Sequence, residues 1–156
     1  MLGNSESDLL KLCRVESFRG SGKGGQKRNV TDSAVRVTHE QSAISGESDK
    51  TRSQHRNRSL AIQALRRAIA IQWREPFPNT VEQLPEKPGA RNPDFAIWMA
   101  TVLDLLNDCD WQVSKAAKRV GKSTGQLVKD LAQDLDLWKE VNRQRQTRGI
   151  KALRVS

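Results

Sequence analysis

The chain has 156 residues, enough for one ordinary domain or two small ones, and its 27 Lys and Arg against 18 Asp and Glu give a net charge of +9. This excess favours a polyanionic partner, because each phosphate neutralised by Lys or Arg releases condensed counterions. The two cysteines and two histidines form no CxxC or HxxxH pair, so we expect no disulfide, metal or cofactor. Neither a signal peptide nor a membrane-spanning stretch is visible in the sequence. We therefore expect a cytoplasmic protein with no membrane partner.

The first third of the chain predicts one short helix and three strands. Residues 5–12 favour a helix that is capped by Ser7. Residues 13–18 and 34–39 alternate apolar and polar side chains, as half-buried strands do. A third, weaker strand is expected to include residues 43–44.

A glycine-rich stretch separates the first two strands. Four of the six residues from 20 to 25 are glycine, which disfavours any regular element, so a loop is predicted here. The loop also carries several cations, at Lys23, Lys27 and Arg28.

An amphipathic helix is predicted after residues 52–54. Its apolar positions recur at spacings of three and four. They are Leu60, Ala61, Ala64, Leu65, Ala68 and Ile69. The opposite face is basic, with Arg56, Arg58, Arg66 and Arg67. Residues 1–75 are therefore expected to form a small α+β domain, a short β-sheet with one covering helix.

All five prolines fall between residues 76 and 93, which predicts an extended linker over 76–93, because proline lacks an N–H and disfavours helix before it. The remaining residues, 94–156, are expected to form a small all-helical domain with a basic C-terminal tail. Apolar residues recur there at helical spacing. They are Phe95, Trp98, Met99, Val102, Leu103 and Leu106, then Val113, Ala116, Ala117 and Val120, then Leu127, Val128 and Leu131, and last Leu135, Trp138 and Val141.

The helical part supports two interpretations. Ala116 and Ala117, the turn residue Gly121, and then Leu127 and Leu131 resemble a helix-turn-helix of the Fis type. An ordinary bundle of three or four helices, held together by its tryptophans at 98, 111 and 138, fits equally well. If this part binds nucleic acid, the candidate phosphate contacts are Lys115, Lys118, Arg119, Lys122 and Lys129. A basic tail that follows RNA would instead use Arg143, Arg145, Arg148, Lys151 and Arg154.

The sequence around the loop is more specific than its glycine content. Phe18-Arg19-Gly20-Ser21-Gly22-Lys23-Gly24-Gly25-Gln26 is followed by Thr31-Asp32-Ser33-Ala34-Val35-Arg36-Val37-Thr38-His39 and then by Arg52-Ser53-Gln54-His55-Arg56-Asn57-Arg58. Over residues 9–72 this order resembles the catalytic domain of bacterial class I peptide-chain release factors and their shorter relatives that rescue stalled ribosomes.

The resemblance implies that the loop enters the peptidyl transferase centre and promotes attack of water on the ester of peptidyl-tRNA. Carried over by position, Gly24 and Gly25 give the tip its backbone angles, the Gln26 N–H faces the developing oxyanion, and the Gln26 side chain positions water. A main-chain donor suits this chemistry, because one oxyanion donor is typically worth about 2.7–4 kcal/mol and carries no titrating group.

RNA contacts are expected in and around the same loop. The residues that we assign to RNA binding are Arg19, Ser21, Lys23, Lys27, Arg28, Arg36, Arg52, Arg56 and Arg58. The chain departs from most relatives at Lys23, where they have Pro, at Lys27 and Arg28, and at Val30, where they usually have Lys. The third strand is also less apolar than usual, so we expect it to be short or irregular.

The sequence therefore predicts codon-independent hydrolysis of peptidyl-tRNA on the ribosome by a monomer, with large-subunit rRNA and peptidyl-tRNA as partners. The few residues before the matched region leave no room for a stop-codon-reading domain, so rescue of stalled ribosomes is expected rather than codon-specific termination. The alternatives are ribosome binding without hydrolysis and a non-enzymatic RNA- or DNA-binding protein that uses the helix-turn-helix.

Overall fold

The structure, a computed structural model, describes residues 2–3, 5–19 and 32–154. The elements within these ranges are α1 (Glu6–Lys11), β1 (Cys13–Phe18), β2 (Ala34–His39), β3 (Ser45–Ser48), α2 (Gln54–Gln72), α3 (Phe95–Asp108), α4 (Val113–Arg119), α5 (Thr124–Ala132) and α6 (Leu135–Thr147). They fall into two compact units, Met1–Gln72 and Trp73–Ser156. The α+β class, with a small sheet, one covering helix and a helical C-terminal part, is confirmed.

The first unit contains a three-stranded antiparallel sheet in the order β1-β2-β3. Its first two strands have the predicted bounds, and they pair so that Phe18 lies opposite Ala34. The third strand begins at Ser45 and not at the predicted residues 43–44. Ala43 has a positive φ of 56°, which an extended strand excludes, and it belongs instead to the turn between β2 and β3.

Helix α2 lies very close to β3. A Cβ atom at Gly46 would be 2.1 Å from the main-chain N of Leu65 and 2.4 Å from the carbonyl oxygen of Ala61, so only glycine fits there. The buried apolar side chains of α2 are those of Ala61, Ile62, Leu65, Ile69 and Ala70. The prediction missed Ile62 and Ala70, while Leu60, Ala64 and Ala68 are only half-buried.

The N-terminal helix is capped by Ser5, not by Ser7 as predicted. The main-chain N–H of Asp8 donates to Ser5 Oγ over 3.2 Å, and Ser5 has the non-helical backbone angles of a cap residue. With the helix starting at Glu6, Leu9 is buried.

The second unit is built around α3. All six apolar positions predicted for this helix are buried. Residues 76–93 contain no helix or strand, yet Phe77 and Leu84 are buried. The guanidinium of Arg119 lies 4.9 Å from the centre of the Phe77 ring. The proline-rich segment is therefore packed as part of the second unit.

The last helix buries a different residue from the one predicted. Asp134 caps α6 by accepting from the main-chain N–H groups of Asp136 and Leu137. This start places Leu137 in the core and leaves Leu135 64% exposed. Trp138 is only half-buried, so the tryptophans of this core are Trp98 and Trp111. In the described part of the chain, no helix has both the length and the apolar character needed to cross a membrane.

Candidate functional site

The tip of the glycine-rich loop lies outside the described residues. This applies to the predicted catalytic residues Gly24, Gly25 and Gln26, and to Ser21, Lys23, Lys27 and Arg28. The structure does describe both ends of the loop. Phe18 and Ala34 are paired neighbours, and Arg19 Nε lies 3.4 Å from Asp32 Oδ1. The loop therefore leaves from and returns to adjacent positions at one end of the sheet.

A buried side chain of α2 holds the returning end of the loop. Asn57 is fully buried, and its Nδ2 donates to the carbonyl oxygen of Ser33 over 2.6 Å and to that of Thr51 over 2.8 Å. Its Oδ1 accepts from the main-chain N–H of Thr51 at 3.0 Å, from Thr51 Oγ1 at 3.1 Å and from Ser48 Oγ at 3.4 Å. One carboxamide thus joins the foot of the loop, the end of β3 and the start of α2.

The role of Asn57 was not predicted from the sequence. The available signal was a neutral amide among the arginines of a basic helix. Since both its donors and its acceptor oxygen are satisfied inside the unit, this side chain is a structural anchor and is not available to RNA.

Three predicted RNA-binding arginines lie in or just before the first turns of α2. Arg52, Arg56 and Arg58 flank Asn57 at the start of α2, and all three are exposed. None of them makes an ion pair with the part of the chain that the structure describes. Because Asn57 touches Ser33 directly, this arginine cluster lies beside the foot of the loop.

Arg36 is engaged within its own sheet. Its Nε donates to Glu47 Oε1 over 2.5 Å, and its guanidinium lies 5.2 Å from the centre of the Phe18 ring. The hydrogen bond to Glu47 raises the pKa of the Arg36 guanidinium. Arg36 therefore presents a partly neutralised charge, in contrast to the cluster at the start of α2.

The segment predicted as a helix-turn-helix contains two short helices joined by a turn. A four-residue turn at 120–123 joins α4 and α5, Gly121 has a φ of +67°, and Ser123 Oγ accepts from the main-chain N–H of Gln126. Three of the candidate phosphate contacts are held in ion pairs within the unit. The pairs are Lys115 with Asp110, Arg119 with Asp108, and Lys122 with Asp130. Lys118 and Lys129 are exposed and unpaired among the described residues.

Most of the basic C-terminal residues also make hydrogen bonds within the second unit. Arg143 makes two hydrogen bonds of 2.8 Å to the carboxylate of Glu140, which raise the pKa of its guanidinium. Arg145 donates to the carbonyl oxygen of Lys151 over 2.8 Å, and Leu153 N–H donates to Asn142 Oδ1 over 2.7 Å. As far as Leu153, the segment after α6 folds back on that helix.

No group of three or more His, Cys, Asp or Glu side chains that could hold a metal ion occurs among residues 2–3, 5–19 and 32–154. His39 is buried, and its Nδ1 lies 2.8 Å from Ser42 Oγ, which makes it part of the turn between β2 and β3.

Comparison with known proteins identifies the family. The RF-1 domain matches residues 9–88, just over half of the chain. Peptide chain release factor 1 of Blochmanniella floridana is 51% identical over 53 residues, which cover 34% of this chain and 15% of that protein. Peptide chain release factor 2 of Bordetella avium is 55% identical over 53 residues, which cover 34% of this chain and 14% of that protein. Peptide chain release factor 1 of Burkholderia multivorans is 48% identical over 64 residues, covering 41% and 18%.

The fold defines a domain in which a short sheet packs against one long helix, and a glycine-rich stretch of the sequence connects two paired strands beside the basic start of that helix. With residues 9–88 matched, the chain belongs to the RF-1 domain family. It matches less than a fifth of the length of each of these release factors.

Proposed function

We propose that this protein hydrolyses the ester bond of peptidyl-tRNA on the large ribosomal subunit, with Gly24, Gly25 and Gln26 at the reacting centre. The observation that carries the proposal is the Gly-Gly-Gln tip within a matched RF-1 domain, on a loop whose ends are fixed side by side at Phe18 and Ala34. The relatives' name, peptide chain release factor, supports the same chemistry.

The reaction requires few groups from the protein. Water attacks the ester carbonyl, the ester C–O bond breaks, and the tRNA ribose oxygen leaves with a proton. The Gln26 main-chain N–H would donate to the oxyanion, a contribution of about 2.7–4 kcal/mol for a well-placed donor. Glycine at 24 and 25 permits backbone angles that side chains disfavour. A neutral carboxamide at position 26 also avoids the cost of desolvating a charged base inside RNA.

The arginine cluster at the start of α2 would hold the domain on rRNA. Arg52, Arg56 and Arg58 are exposed beside the foot of the loop, so phosphates that they bind lie near the path of the tip. Asn57 would keep that foot in register while the tip is extended.

We further propose that the reaction does not depend on a stop codon. Support comes from the described residues after the match, which form a helical unit that ends in basic residues. Such a unit offers phosphate contacts that do not depend on the identity of a codon.

The decisive experiment measures peptide release from purified ribosomes that carry peptidyl-tRNA, with a stop codon, with a sense codon and with no codon in the decoding site. The wild type should release peptide without a stop codon. Gly25→Ala should reduce the rate about 10²–10³-fold, because a side chain at position 25 disfavours the backbone angles that aim the Gln26 N–H, and a misplaced oxyanion donor costs about as much as a missing one. The matched control is Gly89→Ala, where an added Cβ meets nothing within 4 Å. Undiminished release by Gly25→Ala would refute the catalytic assignment, and strict dependence on a stop codon would refute only the codon-independent part.

A second candidate function, nucleic-acid binding by the α4–α5 pair, is favoured by the turn at Gly121. Exposed Lys118 and Lys129 would then contact phosphates. The test is binding of duplex DNA by the double variant Lys118→Glu with Lys129→Glu, and the control matched in charge is Lys50→Glu with Lys139→Glu, at two other exposed positions. This function predicts binding that survives deletion of residues 18–30, is lost in the first double variant and is kept in the control.

A further inference from the structure

Strand β1 leaves one edge of the sheet open. It pairs with β2 on one side, and none of the described strands pairs with it on the other. The main-chain N–H of Glu40 donates to the carbonyl oxygen of Leu12 over 3.1 Å, which extends the ladder between β1 and β2 by one pair. Because hydrogen-bonded and non-hydrogen-bonded pairs alternate along an antiparallel ladder, the even-numbered residues of β1 bond to β2. The N–H and carbonyl groups of Cys13, Val15 and Ser17 therefore point to the open edge, where the described part of the sheet gives them no partner.

Apolar side chains are exposed along the same edge. Val15 is 41% exposed and Leu12 is 47% exposed, although Val37, which lies opposite Val15 on β2, is buried. Helix α2 packs mainly on β2 and β3, which leaves a groove beside Val15. Among the large apolar side chains that the structure describes, only that of Leu135 is also exposed. In the first unit, such exposure is therefore confined to β1 and the residue before it, where a further strand would cover it.

The charges of β1 are complementary to those of a second copy of the same strand. Arg14 and Glu16 flank Val15 and lie on the opposite face of the sheet from it, because side chains alternate along a strand. Both are exposed, and within one chain Arg14 Nε lies 3.4 Å from Glu16 Oε2. In an antiparallel pair of β1 strands centred on Val15, Arg14 of each copy lies opposite Glu16 of the other. Opposite charges at such facing positions stabilise a strand pair.

The same register satisfies the main chain. It places Val15 opposite Val15 of the second copy and Cys13 opposite Ser17. These are the residues whose N–H and carbonyl groups point outward, so each of the three facing pairs forms two hydrogen bonds. Registers centred one residue away, on Arg14 or on Glu16, place two like charges opposite each other, which is destabilising.

We propose that two copies of this protein associate through β1, edge to edge and antiparallel about Val15, so that their three-stranded sheets become one continuous sheet. The occupant of the open edge is a second copy, because the charges, the hydrogen-bonding groups and the central apolar residue of β1 all match themselves about one twofold axis. This assembly differs from the monomer expected from the sequence, and it does not rest on the proposed function.

Analytical ultracentrifugation of the full chain, over a concentration series that reaches about 0.5 mM, measures this association. The wild type should show an equilibrium between monomer and dimer. Arg14→Glu and Glu16→Arg each place like charges opposite one another at two positions of the dimer, so each variant alone should dimerise at least about tenfold more weakly. An equimolar mixture of the two variants brings opposite charges together again, and it should form a heterodimer about as tightly as the wild type dimerises.

Matched controls separate the edge of β1 from a general effect of charge. Lys50→Glu and Glu82→Arg make the same changes of charge at exposed positions outside β1. Both should dimerise as the wild type does. Val15→Pro removes an N–H that points to the open edge and leaves the bonds to β2 in place, so it should also weaken the dimer at least about tenfold.

Circular dichroism shows whether each variant is folded. If Glu16→Arg, whose position lies opposite Arg36, does not fold, Arg14→Glu and Val15→Pro carry the test. A wild type that sediments as a monomer throughout the series would overturn the proposal. Dimers that persist in folded Arg14→Glu and Val15→Pro would overturn the assignment to β1, and a mixture of folded charge variants that forms no heterodimer would overturn the register about Val15.

Discussion

The side-chain amide of Asn57 donates a hydrogen bond of 2.6 Å to the main-chain oxygen of Ser33, 24 residues earlier in the chain. Ser33 is the last residue before β2, where the glycine-rich loop returns to the sheet. The same side chain accepts from the main-chain N–H of Thr51. A single buried amide therefore determines how the start of α2, with its exposed arginines, is held against the foot of the loop.

Replacing this amide should loosen the foot of the loop. Asn57→Ala leaves the buried oxygen of Ser33 and the main-chain groups of Thr51 without their partners, which should lower the free energy of unfolding by about 2–3 kcal/mol. Urea denaturation measures this loss, and Gln63→Ala, at an exposed position of the same helix, is the control. Peptide release at a temperature where Asn57→Ala is still folded should also fall. A variant as stable as the wild type would contradict the anchoring role.

The contact between β3 and α2 makes a second prediction. An alanine at position 46 would place its Cβ 2.1 Å from the main-chain N of Leu65, and backbone atoms cannot move aside as a flexible side chain can. Gly46→Ala should therefore destabilise the protein by about 3 kcal/mol, at the upper end of the usual cost of overpacking.

Gly125 supplies the matched comparison for this change. It lies in α5, and an added Cβ would meet nothing within 4 Å. Gly125→Ala should not destabilise the protein and should stabilise it by up to about 0.5 kcal/mol, because alanine favours helix over glycine and Gly125 lies in the first turn, where the preference is weaker than in a helix interior. Thermal unfolding of both variants checks the pair. Equal effects of the same sign would show that close packing at Gly46 does not control the result.

The ion pair between Arg74 and Asp104 predicts a pH dependence. Their side chains meet at 2.9 Å and are largely buried. Burial raises the pKa of Asp104 above its ordinary value of 3.8, although the Glu75 N–H and Arg74 act in the opposite direction. Burial likewise lowers the pKa of Arg74. For both groups, the loss of water outweighs the attraction of the partner.

The direction of this pH dependence follows from the number of protons that the folded and unfolded states bind. Between pH 3.8 and the raised pKa of Asp104, the folded protein holds more protons than the unfolded chain, so this carboxyl contributes less stability as the pH rises through that window. The Asp104→Asn variant has no carboxyl group that can titrate at this position. The stability of the wild type minus that of the variant should thus be larger at low pH and decline toward neutral pH. Urea denaturation at several pH values from about 3 to 7 measures it, and parallel curves would contradict the assignment.

The sequence by itself determined the features that depend on local pattern. Alternation placed β1 and β2 at their observed bounds, helical spacing identified the buried face of α3, and the order of loop, strand and basic helix led to the family. These predictions were possible because the period and spacing of apolar residues depend on which side of a single element is buried. The roles of Gly24, Gly25 and Gln26 remain predictions.

Only the tertiary structure decided what lies between elements that are distant in the chain. The bond from Asn57 to Ser33, the fit of Gly46 against α2 and the groove beside Val15 all depend on how closely α2 approaches each strand. No local pattern encodes that distance, because it is set by the sizes of side chains that meet only after folding.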